Sequence, residues 1–129
     1  MLDLVLIIIF CILGVCMGIL TGLLPGLHVN NIALILLSIS GTIVALASPL
    51  NSYGISNEFI LLLIAGFIIS VSVSHTFHDV IPTTFIGAPD EDSALSVLPA
   101  HELLLKGQGY RAVVLSAMGS YGAIVVGLI

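Results

Sequence analysis

Hydrophobic residues in this chain fall into long unbroken runs, and its polar residues gather in the gaps between them. Leu4 to Leu24 is 21 residues without a charge. At about 1.5 Å per residue, such a run crosses the roughly 30 Å hydrocarbon core of a bilayer as a helix. Ile32 to Leu50 is a second run, with Asn30 or Asn31 placed to cap its start and Pro49 near its end. A short polar turn, Asn51 to Glu58, leads to a third run that opens at Phe59. Its last turns become polar through Ser70, Ser72, Ser74, His75, His78 and Asp79. Tyr110 to Ile129 is a fourth. The pattern predicts an all-α, polytopic integral membrane protein of 3–4 transmembrane helices, with spans at about 4–24, 32–50, 59–79 and 110–129. The fourth run reaches Ile129 with no terminating signal, so residues 1–129 are expected to be the N-terminal part of a larger transmembrane domain.

Two irregular stretches break this pattern. GILTGLLPGLHVNN, Gly18 to Asn31, sets Gly, Pro, His and two Asn between two membrane-length runs. Lipid offers no hydrogen-bond partner, so a helix break carrying amides is costly there unless its polar groups meet protein, water or ligand. The second stretch begins with Val80–Ile86, which is apolar but only 7 residues long and interrupted by Pro82. The GAPDED turn, Gly87 to Asp92, follows. Ser93 to Leu105 is then helix-compatible with Pro99 inside, and too short to span. Two short arms around a polar tip fit a re-entrant hairpin across 80–105, and equally an interfacial loop with an amphipathic helix. Gly107 or Gly109 provides the stop before the fourth run. Within the first run Gly14, Gly18 and Gly22 recur every four residues, a small-residue face that lets another helix approach closely.

Composition narrows the class. The chain is 59% hydrophobic and 7% charged, with mean hydropathy +1.30, far from a soluble globular domain. Lys106 and Arg111 are its two basic residues, which excludes nucleic-acid binding. The net charge of −5 is local, because three of the 7 acids are adjacent. Cys11 and Cys16 lie in the first run without metal-type spacing and read as small packing residues. Asp3 in place of a basic cluster argues against a signal peptide. Both cations flank the fourth run, so the positive-inside rule places that connection in the cytoplasm and the N-terminus outside.

Three polar groups carry candidate chemistry. Gly26, His28, Asn30 and Asn31 surround the start of the second helix, where free N–H groups hold partial positive charge and suit a carboxylate. The competing reading is a tight interhelical turn capped by an Asn. His75, His78 and Asp79 stand at i, i+3 and i+4 and share a face if helical. They suit a proton relay or, less well, a transition metal; the polarity of an interfacial helix end is the simpler reading. Asp90, Glu91 and Asp92 precede a helical run and complement its dipole, or else neutralise a coupling cation. His101 and Glu102 read as the polar side of an amphipathic helix.

At these motifs a resemblance enters. GILTGLLPGLHVNN resembles the glycine-rich N-terminal segment, with its Pro-Gly-Leu turn, of the large permease subunit of tripartite tricarboxylate transporters. IGAPDEDSALSVLPAHELLLKGQGYRAV, Ile86 to Val113, resembles that family's later segment. The chain departs from the family at Ser74-His75-Thr76-Phe77-His78, where a Gly-Gly-Ser run is common. It departs again at Gly87-Ala88-Pro89, which three acids follow. It therefore looks closest to a divergent, archaeal-type branch. The resemblance implies a multi-pass permease of the cell membrane, an ion-coupled secondary transporter for a small organic anion. It also implies a small membrane subunit and an extracytoplasmic binding protein as partners, besides the lipid bilayer and the remainder of the permease or a second copy. Substrate would bind at Gly26, His28, Asn30 and Asn31. Ion coupling would fall to Asp90, Glu91, Asp92, His75, His78 and Asp79. No catalytic residue, resident metal or cofactor is expected beyond a coupling Na⁺ or H⁺. The alternatives are an ion or metal channel using the His and acid clusters and, more remotely, an intramembrane enzyme, which lacks a nucleophile or metal motif.

Overall fold

The computed structural model describes residues 1–88 and 94–129, and the described residues are helices joined by short turns. Helix α1 spans Leu2–Leu23 and α2 Val29–Ala47, the latter followed by a 3₁₀ segment at Ser48–Tyr53. Helix α3 spans Asn57–His78, α4 Val80–Ile86, α5 Val97–Leu105 and α6 Gly109–Gly127. Among the described residues four stretches are long and apolar enough to cross a membrane: Leu2–Leu23, Val29–Tyr53, Asn57–Ile86 and Gly109–Gly127.

The ends of these helices follow from local chemistry. Ser56 opens α3 by accepting a hydrogen bond from the Phe59 N–H at 3.2 Å. Asp79 keeps right-handed helical dihedrals between α3 and α4, so the two run on almost as one helix. Pro82 explains the interruption, because it has no N–H to give to the His78 carbonyl one turn back. In α5 the other internal proline, Pro99, falls in the first turn, where a missing N–H costs no helical bond. Gly107, at φ +74°, ends α5. Its N–H bonds to Leu104 O at 2.9 Å and the Gln108 N–H to Leu103 O at 2.8 Å, the paired bonds of a Schellman stop.

Helix α3 is the hub. It packs most extensively on α1, and also against α2, α4 and α6. The α1–α3 contacts advance together along both helices, Gly14 meeting Phe67 and Ser70, Gly18 meeting Val71 and Ser74, Gly22 meeting His75 and His78. The two helices are therefore parallel, with α2 as the return between them. Helix α4 packs on α5 and α6, so the two short arms foreseen for 80–105 lie side by side. The buried apolar residues, Ile60, Leu63, Ile64, Val71, Val80, Ala100 and Ala112, fall mainly on α3. Helix α2 has no buried residue in this chain.

Candidate functional site

The small-residue face of α1 builds the most intimate contact in the structure. A Cβ placed on Gly18 would lie 2.5 Å from Val71 O and 2.6 Å from Ser74 Cβ; on Gly22 it would lie 2.8 Å from His75 O. Only glycine lets the backbones come this near, and the approach brings polar groups of both helices within reach. Ser74 Oγ donates to Val15 O across the interface at 2.9 Å. His75 Nδ1 and Thr21 Oγ1 are 3.0 Å apart, and Thr21 Oγ1 donates to Gly18 O at 3.2 Å. Thr21, Ser74 and His75 are all buried. Each would be expensive at membrane depth without a partner, and the close packing supplies one.

His75 and His78 lie on the last turns of α3 and Asp79 follows as its C-cap. A Cβ on Gly22 would meet His75 O, His78 Cβ and Asp79 N between 2.8 and 3.2 Å. His78 Nδ1 donates to Ser74 O at 2.7 Å, one turn back. A carbonyl only accepts, so that nitrogen carries the proton. His78 and Asp79 are half-buried. Just beyond them Val80, Pro82, Thr83 and Thr84 are buried on α4. Thr84 Oγ1 is buried and has no hydrogen-bond partner among the described residues.

Leu24 to His28 form the break between α1 and α2, with Gly26 at φ +90°. His28 takes the N-cap position with extended dihedrals, and its side chain makes no capping bond. This replaces the expected Asn cap. Asn30 and Asn31 adopt helical dihedrals in the first turn, so neither can serve as the extended residue a cap requires. Their side chains are exposed and make no hydrogen bond among the described residues, while the Asn31 N–H bonds to His28 O at 3.1 Å. Gly26 is exposed and His28 half-buried.

Asp90, Glu91 and Asp92 lie outside the described residues. His101 and Glu102 are exposed on α5, where Glu102 pairs with Lys106. Among the described residues no group of three or more His, Cys, Asp or Glu is gathered to hold a metal ion. Cys11 and Cys16 are free thiols. A groove of about 400 Å³ runs beside α3, lined by Ser74 and His78 with Val15 and Phe77. Another, of about 390 Å³, lies between α3 and α6 and includes none of the candidate residues.

Sequence reasoning passed over Thr21, Thr83 and Thr84. Thr21 carried a signal: a hydroxyl one turn along from Gly18 on the small face of an otherwise apolar run has to find a partner. The Thr83-Thr84 pair beside Pro82 carried the same one.

A family model described as Tripartite tricarboxylate transporter TctA family matches residues 8–129. An uncharacterized protein of Methanocaldococcus jannaschii is 37% identical over 123 residues, a match that covers 95% of this chain and 27% of that protein. The chain thus spans about a quarter of the length of the curated relative it matches. No solved structure matches it.

Proposed function

The chain belongs to the tripartite tricarboxylate transporter TctA family, and from that premise we propose that it forms part of the permease of an ion-coupled secondary transporter for a small carboxylate. The observation that carries this reading is the α1–α2 break. There α2 begins with N–H groups that the His28 side chain does not cap, beside the exposed amides of Asn30 and Asn31. Such an uncapped helix start holds partial positive charge and donors that suit a carboxylate. Gly26, His28, Asn30 and Asn31 are the solute-binding surface in this reading, and Gly26 at φ +90° makes the turn.

The coupling ion, a proton or Na⁺, falls to the acids Asp90, Glu91 and Asp92 and to His75, His78 and Asp79. Support for the latter three is that the end of α3 which carries them lies against Gly22 at the α1–α3 interface. The protein acts in the cell membrane as a transporter and not as an enzyme. A small membrane subunit, an extracytoplasmic binding protein and the rest of the permease complete the assembly. Residues 1–129 contribute one part of its transmembrane domain.

The test is uptake of radiolabelled citrate, and of a panel of smaller carboxylates, by cells making the permease at its native length with its partner subunits. Asn31→Ala should raise the apparent KM of the transported carboxylate about tenfold or more, the loss of a hydrogen bond to a charged group, about 1.5–3 kcal/mol. Replacing Asp90 and Asp92 together by Asn should weaken dependence on the driving ion. Unchanged kinetics in both variants, at matched membrane levels, would overturn the assignment.

A further inference from the structure

We propose that the groove beside α3 holds a carboxyl group of the solute against His78 Nε2, with one proton from water shared between the two. The inference rests on the carboxylate reading given above and adds to it a contact and a proton count. His78 lines that groove, of about 400 Å³, together with Val15 of α1 and Val73 and Phe77 of α3. The volume suits a small organic acid. His78 Nδ1 donates to Ser74 O at 2.7 Å, which orients the ring and spends that nitrogen. Nε2 is left as the acceptor of the neutral ring. Among the described residues it has no hydrogen-bond partner.

Position ties this nitrogen to the break. A Cβ on Gly22 would lie 2.8 Å from His78 Cβ, so the root of the side chain is pressed against the last turn of α1. Helix α1 ends at Leu23, and the break that contains Gly26 follows at once. His78 and the uncapped start of α2 therefore stand at the same end of α1. Chemistry then sets the proton count. A neutral imidazole offers a carboxylate no donor at Nε2, and an ionised carboxylate left without one is expensive in a mainly apolar groove. One proton taken from water resolves this. It sits on Nε2, giving imidazolium and carboxylate, or on the oxygen, giving imidazole and carboxylic acid. Either way the hydrogen bond is made and the pair bears no net charge. The Nδ1–H bond to Ser74 O persists in both forms. Solute and proton thus meet at one residue.

No other titratable group among the described residues lines this groove. On α3 His75 is bonded to Thr21, Asp79 has a partner of its own, and Glu58 lies at the opposite end of the helix. Helix α1 carries Asp3 at its far end and the thiols Cys11 and Cys16. Neither α2 nor α4 contains a titratable side chain. Helix α5 carries His101 and Glu102, with Lys106 at its end, and α6 carries Tyr110, Arg111 and Tyr121. In the break, His28 has a partner of its own. Asp90, Glu91 and Asp92 lie outside the described residues.

The test counts protons. The permease, at native length in lipid nanodiscs, is titrated calorimetrically with citrate, malate, succinate and acetate at pH 8, where histidine is ordinarily neutral and carboxylates are ionised. Each titration is run in two buffers of different ionisation enthalpy, and the difference in heat gives the protons taken up per acid bound. For the acid that binds most tightly the expected count is close to one. His78→Asn keeps an amide donor near the Nδ1 position, and with it the bond to Ser74 O, but has no group in place of Nε2. It should bind about tenfold or more weakly, with a count near zero. His78→Gln sets an amide donor near the Nε2 position and should recover much of the affinity, again with a count near zero. A wild-type count near zero overturns the proposal, and so does a count of one that persists in either variant. Should His78→Asn fail to fold, the His78→Gln count decides alone. Binding of none of the four acids overturns the carboxylate reading and this proposal together. A failed count beside a raised KM in Asn31→Ala overturns this proposal only.

Discussion

Replacing Gly18 by Ala should loosen the α1–α3 interface more than its one added methyl suggests. The new Cβ would stand 2.5 Å from Val71 O and 2.6 Å from Ser74 Cβ, against 3.4 Å or more in ordinary contacts. Both obstacles belong to the α3 main chain or to the root of a side chain, so no rotamer change relieves them. The helices must part by about 0.9 Å. A separation of that size stretches the Ser74–Val15 bond from 2.9 Å and the His75–Thr21 bond from 3.0 Å beyond hydrogen-bond range. Interhelical hydrogen bonds in membranes contribute about 0.6 kcal/mol each and at most about 1.7. Overpacking a tight contact adds about 1–3 kcal/mol. The expected loss is about 2–6 kcal/mol, read from reversible unfolding in detergent or by steric trapping in bilayers. Gly41→Ala is the control, since its Cβ would meet nothing within 4 Å. That change should be neutral or slightly stabilising, as expected for Gly to Ala within a helix. Equal stabilities for the two variants would refute the close-packing argument.

Two further substitutions test local structure. Gly107→Ala forces a Cβ into φ +74° and should cost about 1–2 kcal/mol, with faster amide exchange at Gln108, whose N–H closes the α5 stop; unchanged exchange would contradict the motif. Ser56→Ala should cost about 1 kcal/mol and fray the first turn of α3, seen as loss of exchange protection at Phe59 while α1 is unaffected.

Much of this architecture was legible because a membrane reduces folding to a nearly one-dimensional question. Run length and absence of charge decide where helices lie, and four of the described stretches are long and apolar enough to span. The differences come from termini. Helix α2 begins at Val29 because Asn30 and Asn31 take helical dihedrals, leaving His28 as the extended residue. Run length says nothing about such choices.

Partners across the fold were less legible. The Gly14–Gly18–Gly22 stripe announced a close helix contact, yet nothing in it named α3 in preference to the neighbouring α2. Thr21 finds His75 at a separation of 54 residues, a pairing that the parallel packing of α1 and α3 creates. The polar end of α3 that carries His75 and His78 was readable from the sequence alone. Its location against Gly22 required the fold.

The central claim, that the break between α1 and α2 is where solute meets the permease, is tested most directly by substrate protection at Asn31. Cys11 and Cys16 are replaced by Ala and Asn31 by Cys in the native-length protein, and maleimide labelling is timed in membranes. The carboxylate that the cells take up should slow labelling at position 31, in a saturable manner and at concentrations near the transport KM of this same Cys variant, while a carboxylate that is not taken up should leave the rate alone. Identical labelling rates with and without the transported carboxylate would contradict the claim.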